Sequence, residues 1–188
     1  DASASAGAAG AWVLDPSDVH IAPEGVDPAP ANTVYDSTIS GVLDGGTSMA
    51  IVTPAGGLEN GNVDFADGTQ IVRSQPGAPV TFAVQAANGI SAGKGVAIRS
   101  AAGAGALNVA LLAGTAATNP DAVTDRRGQL RFDGTIASNG GNVALGGAWA
   151  QIDAPGAGVF TNGATLDSTA LDPASRGDGS ITIQGLSV

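Results

Sequence analysis

Asn108-Val109-Ala110-Leu111 returns residue for residue as Asn142-Val143-Ala144-Leu145. The same apolar-small-apolar formula recurs at Met49-Ala50-Ile51 and Val96-Ala97-Ile98, and a close variant, Ile181-Thr182-Ile183, lies near the end of the sequence. Short apolar triplets set between Gly, Asn, Asp and Ser turns mark a stacked repeat. A unit of three to five residues cannot bury its own apolar face, so each must lie on the next. The expected fold class is therefore all-β, a solenoid of short strands with irregular loops between them. Corresponding positions on successive coils then fall about 4.8 Å apart, which makes Asn108 and Asn142 candidates for a structural polar ladder.

Alternation of period two places strands at Met49 to Thr53, Val63 to Phe65, Val80 to Val84, Val96 to Ile98 and Leu107 to Leu111. Further strands are expected at Leu130 to Phe132, Val143 to Leu145, Ala148 to Ile152 and Ile181 to Ile183. Phe65-Ala66-Asp67-Gly68-Thr69 and Phe132-Asp133-Gly134-Thr135 read as one turn used twice. The longest loops fall at Ala113 to Gly128 and Asp167 to Gly179. Residues 1–10, all small apart from Asp1, are expected to form a flexible lead-in. Residues 11–188 form the repeat segment, which is expected to continue beyond the end of the chain. Strands at this spacing also suit an antiparallel sandwich, whose strands would face one another in two layers.

Leu, Ile, Val and Phe total 41 of 188 residues, a little above the roughly 20% below which chains fail to bury enough surface to fold. The core must be thin. Gly (29) and Pro (10) punctuate the apolar runs, a pattern that suits turns and strands and not helices. A net charge of −10 with no cationic cluster opposes binding to nucleic acid or to an anionic membrane surface. The basic pair Arg126-Arg127 lies close to Asp121 and Asp125 in sequence and reads as a solvated turn. The most apolar stretch, Ala101 to Ala117, is mostly Ala and Gly and lacks the bulk of a spanning helix, so no membrane insertion is expected. With no Cys there is no disulfide and no thiol chemistry.

Ala11-Trp12-Val13-Leu14-Asp15-Pro16-Ser17-Asp18-Val19-His20-Ile21 resembles the Trp-to-Ile segment of filamentous-haemagglutinin-like large exoproteins, adhesins of the two-partner secretion type. Ala86-Ala87-Asn88-Gly89-Ile90 and Ile136-Ala137-Ser138-Asn139-Gly140-Gly141-Asn142-Val143 resemble that family's coil repeats. The resemblance implies a right-handed parallel β-helix on a secreted protein displayed at the bacterial cell surface. It also implies an outer-membrane secretion partner, adjoining β-helix segments of a parent protein, and a host-cell, bacterial or matrix surface as ligand. The family's amino-terminal secretion motifs are not matched, so the resemblance implies interior shaft.

No residue set reads as catalytic, cofactor-binding or metal-binding. His20 is the sole histidine; without Cys or a second His it could bind zinc only among carboxylates, and no nucleophile elbow accompanies it. A carbohydrate-active β-helix enzyme, a polysaccharide lyase or glycosidase, is the alternative reading, and it would need paired carboxylates. Asp64, Asp67 and Asp133 are the candidates, although Asp67 and Asp133 each precede Gly, as a tight turn requires. Lys94, the one lysine, lacks the neighbouring cations that would lower its pKa. Of the two tryptophans, Trp12 is expected to close the first coil, and Trp149 is the candidate ligand contact.

Overall fold

The computed structural model describes residues 11–14, 18–25, 31–54, 61–115, 128–147, 158–174 and 176–185. In chain order the first strands are β1 (Ala11–Leu14), β2 (Val19–Ala22) and β3 (Thr33–Tyr35), followed by helix α1 (Asp36–Asp44). Three sets of three come next: β4 (Ser48–Val52), β5 (Val63–Phe65) and β6 (Gln70–Arg73); β7 (Val80–Ala86), β8 (Ile90–Ala92) and β9 (Ala97–Ser100); β10 (Leu107–Ala113), β11 (Gln129–Phe132) and β12 (Thr135–Ala137). The last are β13 (Val143–Gly146), β14 (Gly158–Phe160), β15 (Thr165–Asp167) and β16 (Ile181–Gln184).

These strands form three sheets. Sheet I has the order β1-β4-β7-β10-β13-β16, sheet II β14-β11-β8-β5-β2-β3, and sheet III β15-β12-β9-β6. From β4 onward each strand pairs with the strand three places later, and every pairing among the described residues is parallel. The chain thus visits the sheets in rotation, one strand each, and the antiparallel sandwich is ruled out. We call each set of three a tier.

Alternation explains the core. In sheet I, Trp12, Met49, Phe82, Val109, Val143 and Ile181 share one inward column, and Leu14, Ile51, Val84, Leu111, Leu145 and Ile183 share the next. The inner members of both columns are buried together with Ile21, Phe65, Phe132, Ile71, Ile98 and Ile136 from the other two sheets. Val109 and Val143 are each 1% exposed. Two sequence expectations are corrected. The triplet Val96-Ala97-Ile98 belongs to sheet III through β9, whereas the other four triplets lie in sheet I. A helix, α1, is present where only turns and strands were expected. It buries Ile39 and Leu43, four residues apart on one face.

α1 lies against β6, the edge strand of sheet III. The ladder bonds to β9 use the backbone of Thr69 and Arg73, so the N–H groups of Gln70, Val72 and Ser74 point the other way. Each finds a side chain on the helix. Gln70 N donates to Asp36 Oδ2 (2.8 Å), Val72 N to Ser40 Oγ (3.0 Å) and Ser74 N to Asp44 Oδ1 (2.6 Å). The periods match: four residues rise about 6.0 Å along a helix, and two residues span about 6.6 Å along a strand. No helix among the described residues is long and apolar enough to cross a membrane.

Candidate functional site

Side chains outside the core divide between tier-to-tier bonding and open surface. On the outer face of sheet I, Ser48, Thr81, Asn108, Asn142 and Ser180 line up in register. Thr81 N donates to Ser48 Oγ (3.0 Å), Asn142 N to Asn108 Oδ1 (2.9 Å), and Ser180 N and Oγ both to Asn142 Oδ1 (3.0 and 2.9 Å). Asn108 and Asn142 are thus neighbours on adjacent tiers, each amide oxygen bonding the tier after it. Beside this ladder runs a column of Ala50, Ala83, Ala110 and Ala144, which leaves the face flat.

The strands of sheet I carry no ionisable side chain; sheet III carries Arg73, Arg99 and Asp167, and sheet II carries three in register. Thr33, His20, Asp64, Ser91, Arg131 and Phe160 occupy successive positions of one outward column. Ser91 Oγ donates to Asp64 Oδ1 in a short hydrogen bond, and the Arg131 guanidinium lies 5.5 Å from the centre of the Phe160 ring. Asp64, and not His20, stands between the hydroxyl and the imidazole. That order differs from a nucleophile relay, in which the imidazole must take the hydroxyl proton. Sequence reasoning singled out His20 and Asp64 but missed Ser91, Arg131 and Phe160. The only signal for them was the position of each one residue beyond an inward apolar residue.

Asp67 and Asp133 both lie at the corner between sheets II and III but two tiers apart, with the Gly93-Lys94-Gly95 turn between them. That separation is about 9.6 Å by strand spacing. Asp133 Oδ1 accepts the Asn162 N–H of the next tier, and Asp67 Oδ1 lies where a side chain on Gly93 would begin. Among the described residues no three His, Asp or Glu side chains group as metal ligands. Trp149 and Arg126-Arg127 fall outside the described residues. Trp12 sits on the edge strand β1 and is 41% exposed.

The corner between sheets III and I is locked by buried polar groups. Arg73, 1% exposed, donates to the carbonyls of Gln75, Ala78 and Ala106. Burial pulls its pKa down, partly offset by the charge of Asp44, with Arg176 lowering it further. Asn139, with φ of 50°, donates to Ala101 O (3.2 Å) and Ala104 O (3.0 Å) and accepts from Leu171 N (2.8 Å), spanning three tiers. The corner between sheets I and II differs: its connecting segments run from Leu14 to Val19, Val52 to Val63, Ala86 to Ile90, Ala113 to Gln129 and Gly146 to Gly158. Segment length therefore varies most along this edge. No protein-family model, curated protein or solved structure matches the chain.

Proposed function

We propose that the chain is a stretch of right-handed parallel β-helix serving as a non-catalytic shaft in a secreted, surface-displayed bacterial adhesin. The observation that carries this reading is the rotation of strands through three parallel sheets, each pairing three places on. Parallel strands of one sheet joined by a crossover are right-handed in nearly all proteins, which gives the coil its hand. A stack of this kind grows by adding tiers without changing its cross-section, so it supplies reach. The edge between sheets I and II accepts connecting segments of very different length, and that is where attachment loops would be presented.

The distribution of polar groups supports a structural role. Asn108, Asn142, Asn139, Ser40 and Asp44 bond one element to the next, and the two corner carboxylates stand apart at turns. The flat face of sheet I and the charged column of sheet II are the surfaces open to a host-cell, bacterial or matrix ligand.

Solution NMR tests the architecture: contacts between parallel strands, such as Met49 with Phe82 and Val109 with Val143, are expected, and antiparallel pairing rejects it. Beads coated with the chain test attachment, scored on host-cell monolayers, on other bacteria and on a polysaccharide matrix. Binding to none of the three, with those contacts retained, removes the adhesive part of the reading. Depolymerisation of a polysaccharide by the purified chain would replace it with the enzyme reading.

A further inference from the structure

Sheet II holds two opposite charges apart. Asp64, Ser91 and Arg131 occupy successive places of its outward column, so Asp64 and Arg131 stand two strand spacings from each other, about 9.6 Å at the backbone. The strand between them, β8, is low on this face: Ser91 lies at its middle, and Gly89 and Gly93 lie two residues to either side. A carboxylate therefore rises on one side of Ser91 and a guanidinium on the other. The two remaining sides are closed. Asn62 Oδ1 accepts Gly89 N at 3.1 Å, and Asp67 Oδ1 lies 2.6 Å from where a Cβ on Gly93 would begin. The result is a hollow about one ring across and not an open groove.

Both charges are fixed in place. The Ser91 hydroxyl donates to Asp64 Oδ1. The Arg131 guanidinium lies 5.5 Å from the centre of the Phe160 ring, and its Nε donates to Gln129 Oε1 at 3.5 Å. Stacking on a ring leaves the N–H groups of a guanidinium directed outward in its own plane, in the fork that matches a carboxylate. Neither terminal nitrogen of Arg131 has a partner among the described residues, in a chain with 17 acidic residues.

We propose that this hollow binds a single acidic sugar unit at the end of a glycan, with its carboxylate on the terminal nitrogens of Arg131 and its hydroxyls on Asp64 and Ser91. This deepens the adhesive reading above and rests on it for the source of the glycan. Complementarity selects the occupant. Arg131 only donates and the Asp64 carboxylate only accepts, so the ligand must present an anion on one side and donors on the other. A sugar acid has both on one ring. The Ser91 oxygen, having given its proton to Asp64, still accepts from a further hydroxyl. Asp67 and Asp133 lie at the corner beside the hollow, and the chain carries −10 overall, so a polymer with a charge on every unit is repelled while one terminal carboxylate is not.

Sheet III repeats the spacing without the setting. Arg99, Ala137 and Asp167 occupy successive places of one column, but Ala137 has no hydroxyl, and Asp167 Oδ1 already accepts Thr169 N of its own turn. Arg99 thus serves as a control for a surface arginine opposite a carboxylate.

Titration of the full chain followed by amide NMR shifts tests the proposal with two probes of the same ring, methyl β-D-glucuronide and methyl β-D-glucoside. The glucuronide is expected to bind at least about tenfold more tightly, the worth of a charged hydrogen bond, with shifts centred on Ser91 and Arg131. Arg131→Gln is expected to abolish that preference, and Arg131→Lys, which keeps the charge and loses the fork, to retain only part of it. Asp64→Asn should weaken both sugars, and Arg99→Gln should change neither. Circular dichroism confirms that each variant is folded.

Equal affinity for the two sugars overturns the proposal, as does a preference that survives Arg131→Gln. Acetate binding at Arg131 as tightly as the glucuronide reduces the site to an anion contact and overturns the sugar assignment. Tighter binding of an oligogalacturonate than of the single unit overturns the restriction to a chain end. Attachment of coated beads without glucuronide binding removes this site and leaves the adhesive reading, whereas glucuronide binding without attachment leaves the site and removes adhesion.

Discussion

Removing the three acceptors that α1 offers to β6 should destabilise the fold by an amount the hydrogen bonds set. Ser40→Ala leaves the partly buried Val72 N–H without its partner, which costs about 1 kcal/mol. Asp36, 8% exposed, bonds Gln70 N, and Asp36→Ala costs a similar ~1 kcal/mol. Asp44 accepts from Ser74 N, Ser74 Oγ and Gln75 N. These bonds are charged but exposed, so Asp44→Ala costs about 1–2 kcal/mol. Asp44 stands in the last helical turn, where a negative charge is disfavoured by the helix dipole, and its bonds to β6 outweigh that. Alanine is the better helix former, which returns roughly 0.5 kcal/mol per site. The triple variant is thus expected to lose about 1.5–2.5 kcal/mol, and neighbouring sites on one helix will not sum strictly. With a urea m-value of about 2 kcal/mol/M, the unfolding midpoint should fall by roughly 0.8–1.2 M. Ser37→Ala, on the exposed side of the same helix, is the control and should leave the midpoint unchanged or raise it by about 0.2 M, the propensity gain alone. A triple variant that unfolds with the wild-type midpoint would refute the role of α1 as a guard of the sheet edge.

Acid should expose the same contact. Burial raises the Asp44 carboxyl pKa, but the Ser74 hydroxyl, the Ser74 and Gln75 amides and the Arg73 charge outweigh it and hold it below 3.8. Its stabilisation is therefore complete above that pH and is lost as pH falls through the lower folded value; Asp44→Asn should flatten this part of the stability–pH curve measured by urea unfolding. Asn139→Ala removes one buried and two part-buried hydrogen bonds and leaves a non-glycine residue at positive φ without its amide, so a loss of about 2–4 kcal/mol is expected in urea titration. Gly141→Ala would put a Cβ 2.2 Å from Leu107 O, forcing adjacent tiers apart; a fall of about 1–3 kcal/mol is expected, and an unchanged melting temperature would contradict the close approach. Arg131→Ala should cost only about 0.5–1 kcal/mol, the worth of an exposed cation–π contact with Phe160.

The strands of sheet I were legible because each presents two bulky inward residues flanking a small outward one, as in Val109-Ala110-Leu111. Val63 to Phe65 was legible for the same reason, with Asp64 outward. β8 and β12 were not, since Ile90-Ser91-Ala92 and Thr135-Ile136-Ala137 each contain one bulky residue and alternation needs two. α1 was missed because Ser37, Thr38, Ser40, Gly41 and Val42 are poor helix formers. Two signals at a spacing of four were nonetheless present: Ile39 with Leu43, and Asp36 with Ser40 and Asp44. The Asn108–Asn142 contact followed from the exact repeat around it. The Asp64–Ser91 contact did not, because it depends on which tiers adjoin in sheet II, and Ser91 has no counterpart in sequence to align it. Arg73 gave no sign of burial, since its partners are carbonyls, which every sequence has.

A parallel stack has two open edges in each sheet whatever its length, so every added tier enlarges the core while the number of edges stays fixed. At the edge of sheet III nine residues of helix cover a strand of four, supplying an acceptor for each N–H that β6 would otherwise leave unbonded. That edge is therefore satisfied by side chains spaced four apart on a helix instead of by a further strand.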